Sequence, residues 1–416
     1  MDMEKDFIYL CGPTVYNKVH IGNMRPIVTF DLILRGLKYL NNNIEFIHNI
    51  TDIDDKIINQ AQKENILEEV IANKYTDFYF QMLKEYNVTT VDFFPRVSEK
   101  INQIQDFIQK LIDLDYVYES NNSYYFRTNK ISTYGEISNN LLDYLLKNKK
   151  DLDDKKENPY DFVVWKNKTK GKVWDTTLGL GRPGWHTECA AFIYEKTKGK
   201  SLLIHGGGID LKFPHHENEN AQFKALTNKS ICSNWIHVGI INYKNQKMSK
   251  SLGNIVYADD FLNKYKDKTN CSDLFRLMIL SSSINSTIEL NDQMIDSLIK
   301  KNNQINKIVN FVLLNDLVDS SSNFIDQEII INLSQGKFST IYKKLNQVIK
   351  DFNSSKNQNI ALELFWLISF LGFTCVENKI TKEDINIYQT WQIELKNKNF
   401  EKADYLRKQL LDKGLI

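Results

Sequence analysis

The stretch "FIYLCGP" at residues 7–13 is a short apolar run that ends at a glycine and a proline. Such a run is typical of a buried parallel strand, whose two faces are both covered and whose end is marked by turn residues. An apolar helical pattern follows in "IVTFDLILRGLKYL" (27–40), and "IEFIHNI" (44–50) has the character of the next strand. Strand, helix and strand within about fifty residues form a βαβ unit, so the sequence predicts an α/β fold with a parallel sheet.

Two later apolar runs resume this strand character, namely "SLLIHGGG" (201–208) and "NWIHVGII" (234–241). Between these runs and the first βαβ unit, at roughly 95–180, the hydrophobic pattern is different. Its apolar residues first share one helical face at Ile101, Ile104, Ile108, Leu111 and Ile112. "YVYE" and "SYYFRT" then flank "SNN" (120–122), which predicts a hairpin. We therefore expect a Rossmann-type parallel-sheet domain that is split by an insertion.

The last part of the chain has a helical pattern. Beyond Pro214 there is no proline, and from Asn291 onward apolar residues recur at helical spacing. They include Ile295, Leu298, Ile305, Ile308 and Val312. This spacing predicts an α-helical bundle after the α/β domain.

The composition excludes several classes of protein. With 416 residues, 42% of them apolar, the chain can bury a large core in two or three domains. The 53 basic and 52 acidic residues nearly cancel, so the net charge does not indicate nucleic-acid binding. A local basic groove is compatible with that balance. No apolar run reaches the roughly 18 residues of a membrane span, and "MDMEKDF" lacks a secretory pattern, so we expect a cytoplasmic protein. The five cysteines lie far apart and do not form a disulfide framework.

Two short motifs suit phosphate groups. "VHIGNMRP" (19–26) opens a helix after the first strand, where free N–H groups and the positive end of the helix dipole favour anions. His20 can donate to a phosphate oxygen, and Gly22 lets a nucleotide approach the backbone closely. A simple turn is the alternative. "KMSKSLGN" (247–254) is more specific, because two lysines bracket a serine-bearing loop that can close on a triphosphate. A solvated lysine loop is its alternative.

The stretch "FPHHENENAQ" (213–222) is unusually polar. His215 and Glu219 are four residues apart and share one side of a helix, and Pro214 fits the first turn of that helix. One imidazole and one carboxylate make half of a zinc site, with a polar surface helix as the alternative. The chain has no Cys-x-x-Cys pair to supply the other half.

The two phosphate motifs resemble the HIGH and KMSKS signatures of class I aminoacyl-tRNA synthetases, and within that class the chain resembles the cysteinyl-tRNA synthetase family. The resemblance covers nearly the whole chain. It includes "YLCGPTVY" (9–16), "NITDIDDKI" (49–57), "NPYDFVVWK" (158–166), "GRPGWHTECA" (181–190), "HGGGIDLKFPHHENENAQ" (205–222) and "FEKADYLRKQLLDKGL" (400–415).

The resemblance implies an order of domains. The first half of the Rossmann catalytic domain is expected at 1–94 and an inserted connective region at 95–180. The second half, with a zinc site, follows at 181–245, and the KMSKS-loop region at 246–290. An α-helical tRNA-binding domain with a shortened C-terminus is expected at 291–416, because the family usually continues past the final "KGL".

The resemblance also supplies a complete metal site. Cys11 and Cys189 occupy the family's two thiolate positions, and His215 and Glu219 complete the set that binds one Zn²⁺. On the residues alone, both cysteines would be assigned as buried structural thiols. A hydrophobic pocket rejects an isostere with a hydroxyl by only about 10²-fold, whereas a zinc–thiolate bond recognises sulfur directly. The resemblance therefore implies that zinc selects the thiol of the substrate.

Further site residues follow from the same resemblance. Trp185 and His186 are expected in the amino-acid pocket, with a core tryptophan and a structural histidine as alternatives. Thr51 is expected beside the substrate side chain, although "TDID" also fits a helix N-cap with an acidic residue three positions on. Gly207 and Asp210 are expected to hold the adenosine, with the carboxylate accepting from ribose hydroxyls. A tight turn capped by the aspartate is the alternative.

Lys247, Lys250, His20, Gly22 and Asn23 complete the expected ATP site, and Lys250 and His20 are expected to act in catalysis. Asn23 departs from the family, since it stands at the fourth position of the HIGH motif and cannot carry an imidazole charge. Mg²⁺ is expected to accompany ATP. Catalysis would then depend on positioning and electrostatics rather than on a nucleophilic side chain.

The implied activity is ATP-dependent activation of L-cysteine to cysteinyl adenylate, followed by transfer to the terminal adenosine of tRNA(Cys), by a protein expected to be a monomer. One rival is the mycothiol-pathway ligase, which joins cysteine to an amino sugar and resembles the first two-thirds of the chain equally well. The helical C-terminal region favours tRNA over that acceptor. The second rival is a catalytically inactive paralogue that binds RNA or zinc, which the intact motif lysines and all four candidate ligands oppose.

Overall fold

A computed structural model describes residues 5–41, 43–138, 155–249, 252–318 and 325–416. The chain divides into two compact units. The first consists of Met1–Ile27, Asn43–Met82 and Thr90–Ile240. The second consists of Val28–Asn42, Leu83–Thr89 and Ile241–Ile416. The domain boundaries expected from the sequence stay predictions.

The strands of the described residues are, in chain order, β1 (Asp6–Leu10), β2 (Ile44–His48), β3 (Val117–Ser120), β4 (Ser123–Phe126), β5 (Phe162–Asn167), β6 (Gly181–Pro183), β7 (Leu202–Gly208), β8 (Cys232–Val238), β9 (Ile241–Tyr243), β10 (Gln246–Lys247) and β11 (Ile288–Leu290).

The α-helices of the described residues are α1 (Ile21–Leu40), α2 (Asp55–Glu64), α3 (Glu68–Glu85), α4 (Ile101–Asp113), α5 (Trp185–Thr197), α6 (Glu217–Thr227), α7 (Ala258–Tyr265), α8 (Cys271–Leu280), α9 (Asp292–Leu314), α10 (Gln327–Ser334), α11 (Phe338–Ser355), α12 (Gln358–Phe370), α13 (Lys382–Lys396) and α14 (Phe400–Asp412).

The first unit is built on a four-stranded parallel sheet with the order β2-β1-β7-β8. The opening strand pairs with both of its neighbours, as Tyr9 faces Ile47 on one side and His205 on the other. All five residues of β2 are buried, including Glu45 and His48, which interrupt its apolar run. The predicted βαβ start and parallel sheet are confirmed.

A second sheet lies inside the first unit and contains β3, β4, β5 and β6, all antiparallel to their neighbours. Val117 pairs with Phe126 and Ser120 with Ser123, so the predicted hairpin is confirmed. The helical face predicted from Ile101 is α4, which packs against α5. Trp165 of β5 is fully buried in the core that these elements share.

The second unit contains the short sheet β10-β9-β11 and the helices from α7 onward. In its interior Arg276 of α8 pairs with Asp31 of α1 at 2.8 Å, and both side chains are fully buried. The helical pattern predicted from Asn291 is α9, which packs against α12. α13 packs against α14, with Tyr388 and Leu410 buried together with Leu314. The predicted helical C-terminal region is confirmed.

Among the described residues, no helix combines the length and the apolar character that crossing a bilayer requires.

Candidate active site and metal centre

The order of the parallel strands sets the position of the site. The chain runs from β1 to β2 on one side, and β7 and β8 lie on the other side of β1, so the strand order reverses between β1 and β7. In open α/β sheets, ligands bind at such a switch point beyond the carboxyl ends of the strands. Cys11 follows β1 directly, and its backbone N–H donates to the carbonyl oxygen of Gly206 in β7 at 3.0 Å.

Four side chains that the sequence singled out converge at this point. The ligand atoms of Cys11, Cys189, His215 and Glu219 all lie within 4.8 Å of one another. The two sulfur atoms are 4.0 Å apart, and the Sγ of Cys11 is 3.4 Å from the Oε1 of Glu219. The same oxygen lies 2.7 Å from the Nε2 of His215. Two thiols, an imidazole and a carboxylate are thus gathered from three distant segments.

This donor set fits a tetrahedral zinc ion. Zn²⁺ bound at 2.0–2.3 Å places its ligand atoms roughly 3.3–3.8 Å apart. The separations that involve Cys11 are near this range. His215 and Glu219 are closer because they form a direct ion pair, and they would have to separate by about 1 Å or less to share an ion. Cys189, His215 and Glu219 are each at most 2% exposed, so an ion held there would be shielded from water.

The electrostatics of the four groups are strongly coupled. Burial, and then the neighbouring Cys189, raise the pKa of the Cys11 thiol well above its usual value. Burial also opposes ionisation of Cys189, but hydrogen bonds from Cys11 and His215 outweigh it and lower the pKa of that thiol to about 7. Burial disfavours the imidazolium of His215, but the carboxylate of Glu219 outweighs this and raises its pKa to about 10. Cys11 and His215 therefore carry protons at neutral pH, which a bound metal ion would displace.

The polar stretch 213–222 does not start its helix where the sequence predicts. The regular helix α6 begins at Glu217, and Pro214 lies in the irregular turn Lys212–His216, where Phe213 is extended. His215 nevertheless reaches Glu219 in the first turn of α6, so the predicted contact between them is confirmed. Residues 215–222 are all buried, and the alternative of a polar surface helix is therefore wrong.

A histidine layer supports Glu219 from behind. The Nε2 of His205 lies 2.5 Å from the Oε2 of Glu219, and the Nδ1 of His205 lies 3.0 Å from the carbonyl oxygen of Tyr9. Next to it, His216 contacts His237 at 2.9 Å between ring nitrogens. Burial lowers the pKa of His216 well below its usual value, so this ring is neutral. His205 fixes one oxygen of Glu219 and leaves the other turned toward the thiols.

Side chains of α6 next to Glu219 hold the inserted region. Glu217 accepts backbone N–H groups from Gly135, Ile137 and Ser138 at 2.8–3.0 Å. Asn218 accepts from the hydroxyl of Tyr134 at 2.6 Å. We call this set of contacts between α6 and residues 133–138 the insertion clasp. It ties the helix that carries Glu219 to the inserted segment.

Trp185 and His186 lie against His215. The Trp185 ring stacks on the His215 ring with centroids 4.3 Å apart, and the Nδ1 atoms of His186 and His215 are 3.0 Å apart. Burial, together with the charge of His215, lowers the pKa of His186 well below its usual value. A neutral imidazole and an indole therefore form one wall beside the four converging groups.

Thr51 is linked to Cys189 through the side chain of Asn49. Its hydroxyl accepts from the side-chain amide of Asn49 at 3.2 Å, and the oxygen of that amide is 3.8 Å from the Sγ of Cys189. The alternative in which Thr51 caps a helix is wrong. The N-cap of α2 is Asp54, which accepts from the backbone N–H of Lys56, because the helix starts only at Asp55.

The residues of the first unit that were predicted to bind ATP lie in two places. His20 directly precedes α1, whose first turn contains Gly22 and Asn23, and the Asn23 amide accepts the backbone N–H of His20 at 3.1 Å. Gly207 lies in β7, where an added Cβ would be 2.8 Å from the Leu211 side chain and 3.1 Å from the His216 ring. Its lack of a side chain thus serves packing at the histidine layer. Asp210 is exposed just after the strand.

The KMSKS segment belongs to the second unit. Lys247 is exposed in β10, and Lys250 lies outside the described residues. The side chain of Asn254 accepts the backbone N–H of Ser249 at 2.8 Å and donates to the carbonyl of Lys247 at 3.2 Å. Asn254 thereby links the backbone of Lys247 to that of Ser249. Gly253 adopts a left-handed backbone conformation, with a φ of 62°. The roles of both lysines stay predictions.

Sequence reasoning assigned no role to Asn49 and His205. Asn49 accepts the backbone N–H of Gly12 at 2.8 Å in addition to its contacts with Thr51 and Cys189. His205 is fully buried in β7. A signal was present in both cases, because a polar side chain in or directly after an otherwise apolar strand needs a buried partner. The sequence does not show which partner that is.

The chain resembles known proteins over nearly its whole length. The sequence model of the "tRNA synthetases class I (C) catalytic domain" family matches residues 2–300. A "Cysteine--tRNA ligase" of Malacoplasma penetrans is 40% identical over 100% of this chain and 97% of its own length. Another, from Onion yellows phytoplasma, is 40% identical over 98% of this chain and 94% of its own length. That of Mycoplasmopsis pulmonis is also 40% identical, over 99% of this chain, which spans 66% of that longer protein.

Solved structures show the same fold at low identity. The chain is similar to methionyl-tRNA synthetase of Mycobacterium tuberculosis in complex with methionyl-adenylate, with a TM-score of 0.59, 14% identity and coverage of 94% of this chain and 84% of that one. It is also similar to LeuRS of Agrobacterium radiobacter K84 in a ternary complex with tRNA and LeuAMS, with a TM-score of 0.64, 10% identity and coverage of 89% and 83%. Together with the match of the family model and the identity over nearly the full chain, these findings show that the chain belongs to the cysteine--tRNA ligase family of class I aminoacyl-tRNA synthetases.

Proposed function

We propose that this protein activates L-cysteine with ATP to cysteinyl adenylate and transfers the cysteinyl group to the terminal adenosine of tRNA(Cys). The observation that carries the proposal is the convergence of Cys11, Cys189, His215 and Glu219 at the switch point of a class I synthetase fold. A site built to recognise a thiol is what a cysteine-specific member of this class needs. The names of the full-length relatives point to the same activity.

The four converging groups would hold one zinc ion. Their chemistry fits, since the thiolates are soft donors that together neutralise Zn²⁺, imidazole is a borderline donor, and the carboxylate completes a set of four ligands. A bound zinc ion would supply a soft Lewis acid that prefers the sulfur of cysteine to the hydroxyl of serine. The protein's own contribution is to fix these donors. His205 orients Glu219, and Asn49 places its amide oxygen between the Cys189 sulfur and the backbone of Gly12.

The remaining predicted residues act on ATP in this proposal. His20 and the N-terminal N–H groups of α1 would bind phosphate oxygens, with Gly22 in the first turn. Asn23 closes that turn rather than serving as a second charged group. Lys247 and Lys250 would stabilise the charge that develops on the triphosphate, Mg²⁺ would accompany it, and Gly207 and Asp210 would hold the adenosine.

Neither rival activity is favoured. The amino-sugar ligase rival resembled only the first two-thirds of the chain, whereas the relatives named "Cysteine--tRNA ligase" match over nearly all of it, including the helical C-terminal region. An inactive paralogue that binds only RNA would not need the four ligand groups, which are close enough to share one ion. An inactive paralogue that binds zinc is distinguished by the exchange assay. A monomeric state and a cytoplasmic location remain proposals.

Cysteine-dependent ATP–pyrophosphate exchange tests the activation step, and acylation assays then identify the acceptor. We expect exchange with cysteine, acylation of a tRNA(Cys) transcript, and no transfer to glucosaminyl-inositol. Transfer to the amino sugar alone would favour the mycothiol-pathway rival. Absence of exchange with zinc-loaded protein would favour the inactive paralogue.

Metal analysis tests the ligand set. The purified protein should contain about one equivalent of zinc, and Cys189→Ser should lose most of it because one of four ligands is replaced by a harder, less acidic group. The matched control is Cys232→Ser, another buried cysteine in the same unit that is not one of the four grouped residues. Full zinc retention in Cys189→Ser would remove this residue from the site.

A further inference from the structure

The histidine layer beside Glu219 belongs to a second group of potential metal ligands that the proposed zinc centre does not use. Ligand atoms of Cys11, His205, His216 and Glu219 all lie within 4.8 Å of one another. Cys11 and Glu219 also belong to the first group of four, whereas the two histidines do not. All four residues of the second group are at most 9% exposed. The two groups are therefore adjacent in the interior of the first unit and share two members.

Glu219 faces the two groups with different oxygens. Its Oε1 is 2.7 Å from the Nε2 of His215 and 3.4 Å from the Sγ of Cys11. Its Oε2 is 2.5 Å from the Nε2 of His205. In binuclear metal centres the two ions lie about 3.5–4 Å apart, a distance that the two oxygens of one carboxylate can span. Glu219 can therefore bridge two ions, and the sulfur of Cys11 is a second group within reach of both.

The two histidines present ring nitrogens that suit a metal ion. The Nδ1 of His205 lies 3.0 Å from the carbonyl oxygen of Tyr9, which can only accept, so the hydrogen of the neutral ring is on Nδ1 and the lone pair of Nε2 faces Glu219. In His216 the Nδ1 contacts His237, and the Nε2 is buried without a hydrogen-bond partner among the described residues. Since buried polar atoms nearly always have a partner, this nitrogen indicates a ligand.

The charge of the first centre favours a second cation. Two thiolates and one carboxylate carry three negative charges, of which a single Zn²⁺ would compensate two. The third would remain on the fully buried Glu219, where an uncompensated charge is costly. A proton on His205 can compensate it, and so can a second cation held by the two histidines. Two Zn²⁺ ions would exceed the ligand charge by one, so the second ion would bind more weakly than the first.

We propose that His205 and His216, with Cys11 and Glu219 as bridges, form a second and weaker site for a borderline divalent cation such as Zn²⁺ or Co²⁺. The inference rests on the proposed function through its zinc centre, which it extends from one ion to two. To bind, the ion has to separate His205 from Glu219 by about 1 Å, because the ligand atoms of a tetrahedral zinc ion lie roughly 3.3–3.8 Å apart. Filling the second site would change the coordination of the first ion, since both would share the two bridges.

The test follows metal stoichiometry and magnetic coupling in the full chain. Metal-free protein is dialysed against defined concentrations of free Zn²⁺, and we expect one tight equivalent followed by a second at higher concentration. The same titration with Co²⁺ reports where the second ion lies. Two cobalt ions joined by a thiolate and a carboxylate couple magnetically, so the paramagnetic resonance signal of the first ion should weaken as the second binds. A second equivalent that leaves this signal unchanged lies elsewhere on the protein and would overturn the proposal.

A matched pair of variants tests the ligands. His216→Phe removes one member of the second group and none of the first, so affinity for the second equivalent should fall by about 10–100-fold while the first is retained. The control is His48→Phe, which removes another buried histidine of the first unit that belongs to neither group and should retain both equivalents. The thermal unfolding midpoint shows whether each variant is folded, and the coupling measured in the wild-type protein needs no variant.

The outcomes separate the second site from the proposed function. Wild-type protein that binds a single equivalent at every zinc concentration, or a folded His216→Phe that keeps both, would overturn the second site alone. Failure to bind even the first equivalent would contradict the proposed zinc centre and the second site with it. Absence of cysteine-dependent pyrophosphate exchange, in protein that binds both coupled ions, would contradict the proposed function and support the second site.

Discussion

Cys11 and His215 carry protons that the proposed zinc ion would have to displace. Burial and Cys189 raise the pKa of Cys11, and Glu219 raises the pKa of His215 to about 10, whereas the pKa of Cys189 is about 7. At pH 7 we therefore expect zinc binding to release about two to three protons, and zinc affinity to fall as the pH falls. Calorimetry in two buffers with different ionisation enthalpies measures this number. A binding enthalpy independent of the buffer would show that the ligands are already deprotonated.

Lys250 is the residue on which we expect the chemical step to depend most. Replacing it with alanine should lower kcat for pyrophosphate exchange by about 10²–10³-fold and change the KM for cysteine little, since the lost charge acts on the transition state. Lys266→Ala, an exposed lysine just after α7, is the matched control and should retain activity. Exchange at nearly the wild-type rate in Lys250→Ala would show that this loop does not take part.

At the residue scale, the sequence predicts functional groups better than it predicts their partners. His215 and Glu219 could be paired from their spacing, because four residues make one helical turn. Cys11 and Cys189 are 178 positions apart, and only the resemblance to a family placed them together. Asn49 and His205 received no role, since their contacts arise from the register between strands, which periodicity does not reveal.

At the scale of elements, the insertion clasp should affect both stability and metal binding. Glu217 accepts three backbone N–H groups, and a glutamine there would turn its own N–H₂ group toward at least one donor. We expect Glu217→Gln to lower the free energy of unfolding by about 1–3 kcal/mol and to weaken zinc binding, because α6 carries Glu219. Chemical denaturation and competition with a chromophoric chelator measure the two effects.

The control for this variant is Glu136→Gln, at the partly exposed end of the same clasp, where the ion pair with Lys224 contributes less than about 1 kcal/mol. It should leave zinc affinity unchanged. If Glu217→Gln were as stable and bound zinc as tightly as the wild-type protein, the clasp would have no effect on the metal centre.

The strands and helices themselves followed from local patterns. The central strands β1 and β7 were recognisable because parallel strands covered on both faces are largely apolar, whereas the edge strand β8 is exposed at Ser233 and Asn234. The ends of elements were less predictable. The helix expected from Pro214 begins at Glu217, because residues 212–216 form an irregular turn that brings His215 toward Glu219. Similarly, Asp54 rather than Thr51 caps α2.

At the scale of the whole molecule, two hydrophobic patterns predicted the class of fold. Short continuous apolar runs indicated the parallel sheet, and apolar residues at helical spacing indicated the helices that follow it. The balanced charge of the chain gave no indication of an RNA partner. The fold nevertheless gathers five lysines from α2, the inserted region and β5 around one pocket of the first unit. Composition averages over such local concentrations, so it could not have shown them.

The central claim is that four buried side chains make this protein select a thiol. Acylation of tRNA(Cys) by the zinc-loaded protein is measured with cysteine and with serine, and the two values of kcat/KM are compared. A pocket that selects by shape alone discriminates against such an isostere by about 10²-fold. We predict a preference for cysteine well above that value, falling toward it when the zinc is removed. A preference near 10²-fold that does not depend on zinc would contradict the claim.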